Sequence, residues 1–148
     1  MVAKKSSVGK KKIRVRSSGM VTLKYFEDPP DGNLYIGEAL RHIPFKVKRF
    51  FFVNKLDNPD ALRGKHAHKK LEQVIFCING SFLLQLDDGK RKQKIKMDNP
   101  KMGVFLGRLL WNEMSHFSKD CVILVVASDY YKESDYIRDY REFVNLVE

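Results

Sequence analysis

No stretch of this 148-residue chain approaches the roughly 18 uninterrupted apolar residues that a membrane-spanning helix needs. The N-terminus lacks the apolar core of a secretory signal, because Lys4, Lys5, Lys10, Lys11 and Lys12 fall within its first dozen positions. A cytoplasmic protein that does not meet the membrane is therefore expected. Cysteine is scarce: Cys77 and Cys121 form no Cys-x-x-Cys pair and have no metal-ligand spacing around them. Both lie in apolar, strand-like contexts, which reads as two reduced core thiols. An inter-strand disulfide would need a geometry that sequence does not fix. Acidic residues are missing from residues 1–16, which carry seven basic side chains. The remainder has 21 basic and 18 acidic residues, so most of the formal charge of +10 belongs to that segment. Rich in Lys, Ser and Gly, it cannot bury enough apolar surface to order itself. The expected organisation is a disordered basic tail over residues 1–18 and one domain over 19–148. Nucleic acid is not an expected partner, and would be met only through non-specific electrostatics of that tail.

Helical periodicity is absent until the C-terminus. Strand signals recur at 20–26, 34–36, 46–54, 71–78, 81–86, 90–97, 103–107 and 121–127, separated by turn residues. On 46–54, alternation groups Val47, Arg49, Phe51 and Val53 on one face and Lys46, Lys48, Phe50 and Phe52 on the other. Asn79-Gly80 predicts a hairpin, and Asp87-Asp88-Gly89 a second. Tyr136, Ile137, Tyr140, Phe143, Val144 and Val147 recur at three- and four-residue steps, predicting an amphipathic helix over 135–147. Strands without intervening helices exclude a βαβ layout. The expected fold is all-β, an antiparallel jelly-roll barrel with a C-terminal amphipathic helix.

The unusual residues concentrate in Arg63-Gly-Lys-His66-Ala-His68-Lys-Lys-Leu-Glu-Gln-Val74. On a strand, histidines at i and i+2 point to the same face. Gly64, His66, His68, Glu72 and Gly80 together resemble the first motif of the cupin barrels. Two histidines and a glutamate can hold a transition metal. In the second-motif stretch, however, Asn112 stands where that resemblance would place a further histidine, and Asn is a poor transition-metal ligand. His116 lies four residues later, within reach only if register or loop permits. A metal-free site, with histidine as acid and base and no cofactor, is the expectation.

The resemblance extends further. The His-x-His stretch, Asn79-Gly-Ser81, Leu86-Asp-Asp-Gly89, Trp111-Asn-Glu-Met114 and Ser128-Asp-Tyr-Tyr131 are similar to the sugar 3,4-ketoisomerases of the WxcM-like family. Ile43-Pro-Phe45, Lys48-Arg49 and Asp135-Tyr-Ile-Arg-Asp-Tyr140 belong to the same pattern, which spans roughly residues 20–145. The resemblance implies a homodimeric, metal-independent enzyme acting on dTDP-4-oxo-6-deoxyglucose. It would move the keto group from C4 to C3 before a transaminase makes a 3-amino sugar. On that reading His68 is the first candidate base and His66 its partner, since imidazole accepts and returns a proton near neutral pH. Arg63, Asn112 and a hydroxyl of Tyr130 or Tyr131 are candidates for contacts to the sugar or its oxyanion. Arg49 and Arg108 are candidates for the diphosphate, and Phe51 or Phe52 for the thymine ring. Phe51-Phe52 replaces the family's common Tyr-Tyr, Asp31-Gly32 its Arg-Gly, and Asn112 a frequent histidine. The alternatives are a nucleotide-sugar 3,5-epimerase, a non-catalytic sugar- or nucleic-acid-binding cupin, and a metal-dependent cupin oxygenase disfavoured by Asn112. The epimerase would pair its histidine with a buried Asp and use a Tyr as acid.

Overall fold

The computed structural model describes Val2–Ala3 and residues 12–148. Among these residues, thirteen strands, arranged in three antiparallel sheets, and one α-helix follow in chain order. Strands β1 (Val2–Ala3), β3 (Lys24–Asp28) and β4 (Gly32–Ile36) form a small sheet in the order β1-β3-β4. The second sheet contains β2 (Ser18–Thr22), β10 (Met102–Leu106), β7 (Gln73–Asn79), β12 (Val122–Ala127) and β5 (Arg49–Val53), in that spatial order. The third runs β13 (Tyr136–Ile137), β6 (Arg63–His68), β11 (Trp111–Ser115), β8 (Phe82–Asp87) and β9 (Lys92–Met97).

Alternation along these strands builds the core. Ile75 and Cys77 of β7, Val104 and Leu106 of β10, and Ile123 and Val125 of β12 face Phe82, Leu84 and Leu86 of β8 and Ile95 and Met97 of β9. The opposite face of β7 is buried as well, because Val74 and Phe76 are covered by Val21, Ile43 and Phe45. A strand enclosed on both sides reads as a continuous apolar run, which is how 74–78 appears in the sequence. Both cysteines are buried and free, and burial pushes the Cys77 thiol up to about 12.

The two five-stranded sheets stack face to face but do not close, so the expected jelly-roll barrel is not formed. Each sheet keeps two edges, β2 and β5 in one and β13 and β9 in the other. Closure needs hydrogen bonds that continue from sheet to sheet; here the contact across the gap is made by side chains. The Asn79-Gly80 turn shows why. Gly80 takes φ +70 as expected, yet β7 and β8 belong to different sheets, so this turn carries the chain across the core instead of folding a hairpin. The exit is fixed by Asn79 Nδ2, which donates to the Asp120 carbonyl at 2.7 Å, and by the Ser81 N–H, which donates to Ser118 Oγ at 2.9 Å. The second expected hairpin is formed, with Phe82 opposite Met97 and Asp87 opposite Lys92.

At the C-terminus, helix α1 spans Tyr140–Val147 and not 135–147. Asp139 is its N-cap, accepting from the Glu142 N–H at 2.9 Å. Before it, Glu133–Asp135 forms a 3₁₀ turn, and β13 pairs Tyr136 with His68 and Ile137 with Ala67. The strand wins there because pairing buries Ile137 completely against Ala67, Trp111 and Phe143. Of the basic segment, residues 4–11 lie outside the described residues. Its described end is laid on the fold: Val15 is in the core, and the Arg16 N–H donates to Asp88 Oδ2 at 2.8 Å. Among the described residues, no helix is long and apolar enough to cross a membrane.

Candidate active site

Strand β6 delivers both histidines, and a bulge aims them. Gly64 and Lys65 take left-handed backbone at φ +77 and +57. The β6–β11 register slips there, with His66 opposite Asn112 and Gly64 opposite Glu113. A Cβ on Gly64 would stand 2.8 Å from Asn112 Oδ1 and 2.9 Å from the Asn112 carbonyl oxygen, so only glycine fits. Beyond the bulge, the rings of His66 and His68 meet edge to face with centroids 4.9 Å apart. Tyr136 completes the cluster, 4.9 Å from His66 and 4.4 Å from His68.

Each imidazole is oriented through Nδ1. His68 Nδ1 lies 3.1 Å from Asp135 Oδ2. The Asp135 carboxylate is itself fixed by the N–H groups of Lys70 at 2.8 Å and Leu71 at 3.2 Å. A carboxylate facing Nδ1 holds the ring proton there and leaves the Nε2 lone pair free. Nε2 of His68 is indeed buried, with no hydrogen-bond partner among the described residues. His66 Nδ1 lies 3.0 Å from the Gly64 carbonyl, which only accepts, so its proton is also on Nδ1. Burial, and then the neighbouring His68, lower the His66 pKa to about 4. Burial likewise lowers that of His68, opposed by its bond to Asp135. Near pH 7 both rings are neutral and able to accept a proton.

A cavity of about 370 Å³ opens between the sheets beside this pair, within the size range of small-molecule sites. Phe51, Val53, Gln73 and Ile75 line it from one side, and Arg63, His66, Asn112, Tyr136 and Arg138 from the other. Asn112 is 2% exposed, and its Nδ2 donates to the His66 carbonyl at 3.1 Å, pinning the histidine strand. Arg63 stands exposed at the rim. Arg49 shares the inward face of β5 with Phe51 and stacks between the rings of Phe51 at 5.6 Å and Tyr131 at 5.7 Å. The Tyr131 hydroxyl donates to Glu133, and its ring lies 5.6 Å from that of Tyr136. The structure therefore gathers Arg63, His66, Asn112 and Phe51 around the cavity, with His68 in ring contact with His66, Arg49 beside Phe51, and the exposed Tyr131 on the other side of Arg49. Phe52 lies on the opposite face of β5 and is 60% exposed. Tyr130 is 65% exposed and lies beneath Lys48. Arg108 is exposed between β10 and β11, away from the lining.

Sequence reasoning missed Asp135, Tyr136 and Arg138 as site residues because the helical period absorbed them. Two signals were present. Asp139 with Glu142 three residues later marks a helix start, and Tyr136 and Arg138 stand two apart, as on a strand. In the structure, Arg138 lies 4.2 Å over the Tyr136 ring. It also makes two bonds to Glu133, at 2.8 and 3.1 Å. Gln73 was missed too, since nothing local distinguishes it. Among the described residues, no group of three or more His, Cys, Asp or Glu side chains is placed to hold a metal ion.

The chain is similar to proteins of known activity. It is 49% identical over 118 residues to the TDP-4-oxo-6-deoxy-alpha-D-glucose-3,4-oxoisomerase of Aneurinibacillus thermoaerophilus, covering 78% of this chain and 83% of that protein. A crystal structure of a His-to-Asn mutant of the 3,4-ketoisomerase QdtA from Thermoanaerobacterium thermosaccharolyticum, in complex with TDP-4-keto-6-deoxyglucose, superposes with a TM-score of 0.86. Its sequence identity is 36%, covering 90% of this chain and 95% of that one. A 3,4-ketoisomerase from Helicobacter canadensis gives a TM-score of 0.83 at 40% identity, covering 88% and 96%. The model of the family described as FdtA (WxcM-like, C-terminal) matches residues 16–148, so the chain belongs to that family.

Proposed function

We propose that the protein is a nucleotide-sugar 3,4-ketoisomerase, converting dTDP-4-oxo-6-deoxyglucose to its 3-keto isomer for 3-amino-sugar synthesis. The observation that carries the mechanism is the unpartnered, buried Nε2 of His68, whose tautomer Asp135 sets. The C4 carbonyl acidifies the proton on C3. His68 Nε2 takes that proton, and Asp135 stabilises the imidazolium formed. Electrons move into an enediolate, and return of the proton to C4 leaves the ketone at C3. His66, neutral and closer to the cavity, moves protons between the sugar oxygens. Arg63 and Arg138 at the rim hold the diphosphate, whose planar bidentate recognition suits guanidinium, and Phe51 offers its ring to the base. No resident metal or cofactor is part of this reading.

The His68–Asp135 pair and the nearby Tyr136 also satisfy what the 3,5-epimerase alternative requires, so the pair alone does not separate the two reactions. Incubation with dTDP-4-oxo-6-deoxyglucose in deuterated buffer does. Appearance of a C3 ketone supports isomerisation. Retention of the C4 ketone with deuterium entering at C5 overturns it.

A homodimer is part of the proposal. The outer face of the second sheet carries an apolar groove of about 670 Å³ lined by Val47, Phe50, Ile78, Leu124 and Val126. Phe50 is 66% exposed and Phe52 60%. Contiguous exposed apolar surface of this kind marks an interaction face, and a second copy of the chain is its occupant.

A further inference from the structure

Arg49 is a half-buried cation with part of its guanidinium enclosed and unsatisfied. Among the described residues, its Nε and Nη2 are shielded from solvent and have no hydrogen-bond partner. A guanidinium stays charged under all ordinary conditions, and enclosing it unpaired opposes folding. Such a group is retained where a ligand supplies the missing acceptor.

Its position narrows the ligand. Arg49 pairs with Ala127 of β12, which pairs in turn with the cavity-lining Gln73. Alternation puts it on the same face as Phe51 and Val53, which also line the cavity. Phe51 and Tyr131 place their rings 5.6 and 5.7 Å from the guanidinium carbon, contacts that take none of its N–H hydrogen-bonding capacity at Nε and Nη2. Tyr131 touches Tyr136, and Tyr136 touches His68, so the aromatic wall connects the guanidinium to the histidine pair. Its charge is felt at His68, whose pKa it helps to lower. Arg63 and Arg138, by contrast, are exposed, where a hydrated diphosphate can reach them.

We infer that Arg49 donates its buried edge to the sugar oxyanion formed in the isomerisation, and is a catalytic residue, not the diphosphate ligand its sequence context suggests. The inference rests on the ketoisomerase reading. As His68 Nε2 removes the C3 proton, the C3–H electron pair forms the C3–C4 double bond, and the carbonyl pair moves onto O4. The guanidinium N–H groups meet that charge. O3 then passes its proton to O4. The imidazolium returns its proton to C4, and the negative charge on O3 collapses into the new C3 ketone. A preorganised donor in a water-poor site is most effective where charge develops.

The test compares wild type, Arg49→Met and Arg49→Lys by steady-state kinetics, TDP binding and melting of the ligand-free protein. Arg49→Met should lower kcat by about 10²–10³-fold. Its TDP dissociation constant should stay within about threefold, and its melting midpoint should hold or rise, because two enclosed, unsatisfied donors have gone. Arg49→Lys keeps the charge without the planar fork and should fall between the two in kcat. TDP binding weakened tenfold or more with kcat retained at saturation would assign Arg49 to the diphosphate and overturn the inference. A lowered melting midpoint in both variants would make it a structural residue and overturn the inference equally. If wild type itself leaves dTDP-4-oxo-6-deoxyglucose unchanged, the ketoisomerase reading falls and takes this inference with it. If wild type turns over and Arg49→Met does too, the inference falls alone.

Discussion

His66 and His68 differ in what stands behind them, and in the proposed mechanism that difference divides their work. A carboxylate supports the His68 imidazolium, whereas His66 leans on a backbone carbonyl. His68→Asn should therefore lower kcat by about 10³-fold or more, and His66→Asn by about 10²-fold, in an assay of C3-ketone formation. Equal, negligible effects would remove both from the chemistry. Both pKa values lie below the ordinary histidine value, so the neutral, competent forms persist as pH falls through 6.5. The acid limb of kcat/KM should appear below pH 6.5, and Asp135→Asn should move it lower still while reducing the rate. For stability the sign is the same. A histidine kept neutral by burial stabilises the fold fully above pH 6.5, and for His66 that contribution is lost between about 6.5 and 4. At this scale the placement of His66, Arg63, Phe51 and Asn112 on one cavity was legible, the histidine from its spacing with His68 and the others through the family resemblance. Asp135 was not, since its partner lies 67 residues away and only the tertiary fold joins them.

The bulge in β6 is the element on which the site depends. Gly64→Ala adds a methyl where Asn112 already stands and forces a left-handed φ on a residue that resists it. The variant should retain its overall circular dichroism, yet lose about 10-fold or more in kcat because the His66 backbone shifts. A fully active Gly64→Ala would show that the histidines are aimed by something else. Most strands were readable from alternation and turn residues, and β7 and β12 from their apolar runs. The helix start was misplaced because Tyr136 and Ile137 satisfy both periods. The strand prevails through pairing with His68 and Ala67, contacts invisible to local sequence.

At the scale of the whole molecule, sequence pattern conveyed which strands are apolar but not how sheets end. An apolar run is the same whether its sheet closes or stops at an edge, so the open arrangement had to come from the pairing registers. The exposed apolar groove of the second sheet gives a direct test of assembly. Phe50→Glu should convert a dimer to a monomer in light scattering, with melting measured in parallel; a wild type that is already monomeric would refute the assembly. The two halves of the candidate site are unequally supported. His66 and His68 lie on the six-residue β6 within the third sheet, but Asp135, Tyr136 and Arg138 ride on and around its two-residue edge strand β13, moored by the eight-residue α1. Heat should loosen that mooring first, so turnover should vanish several degrees before the sheets melt. Phe143→Ala, which empties the anchor of α1, should widen the interval, leaving a molecule still folded and already inert.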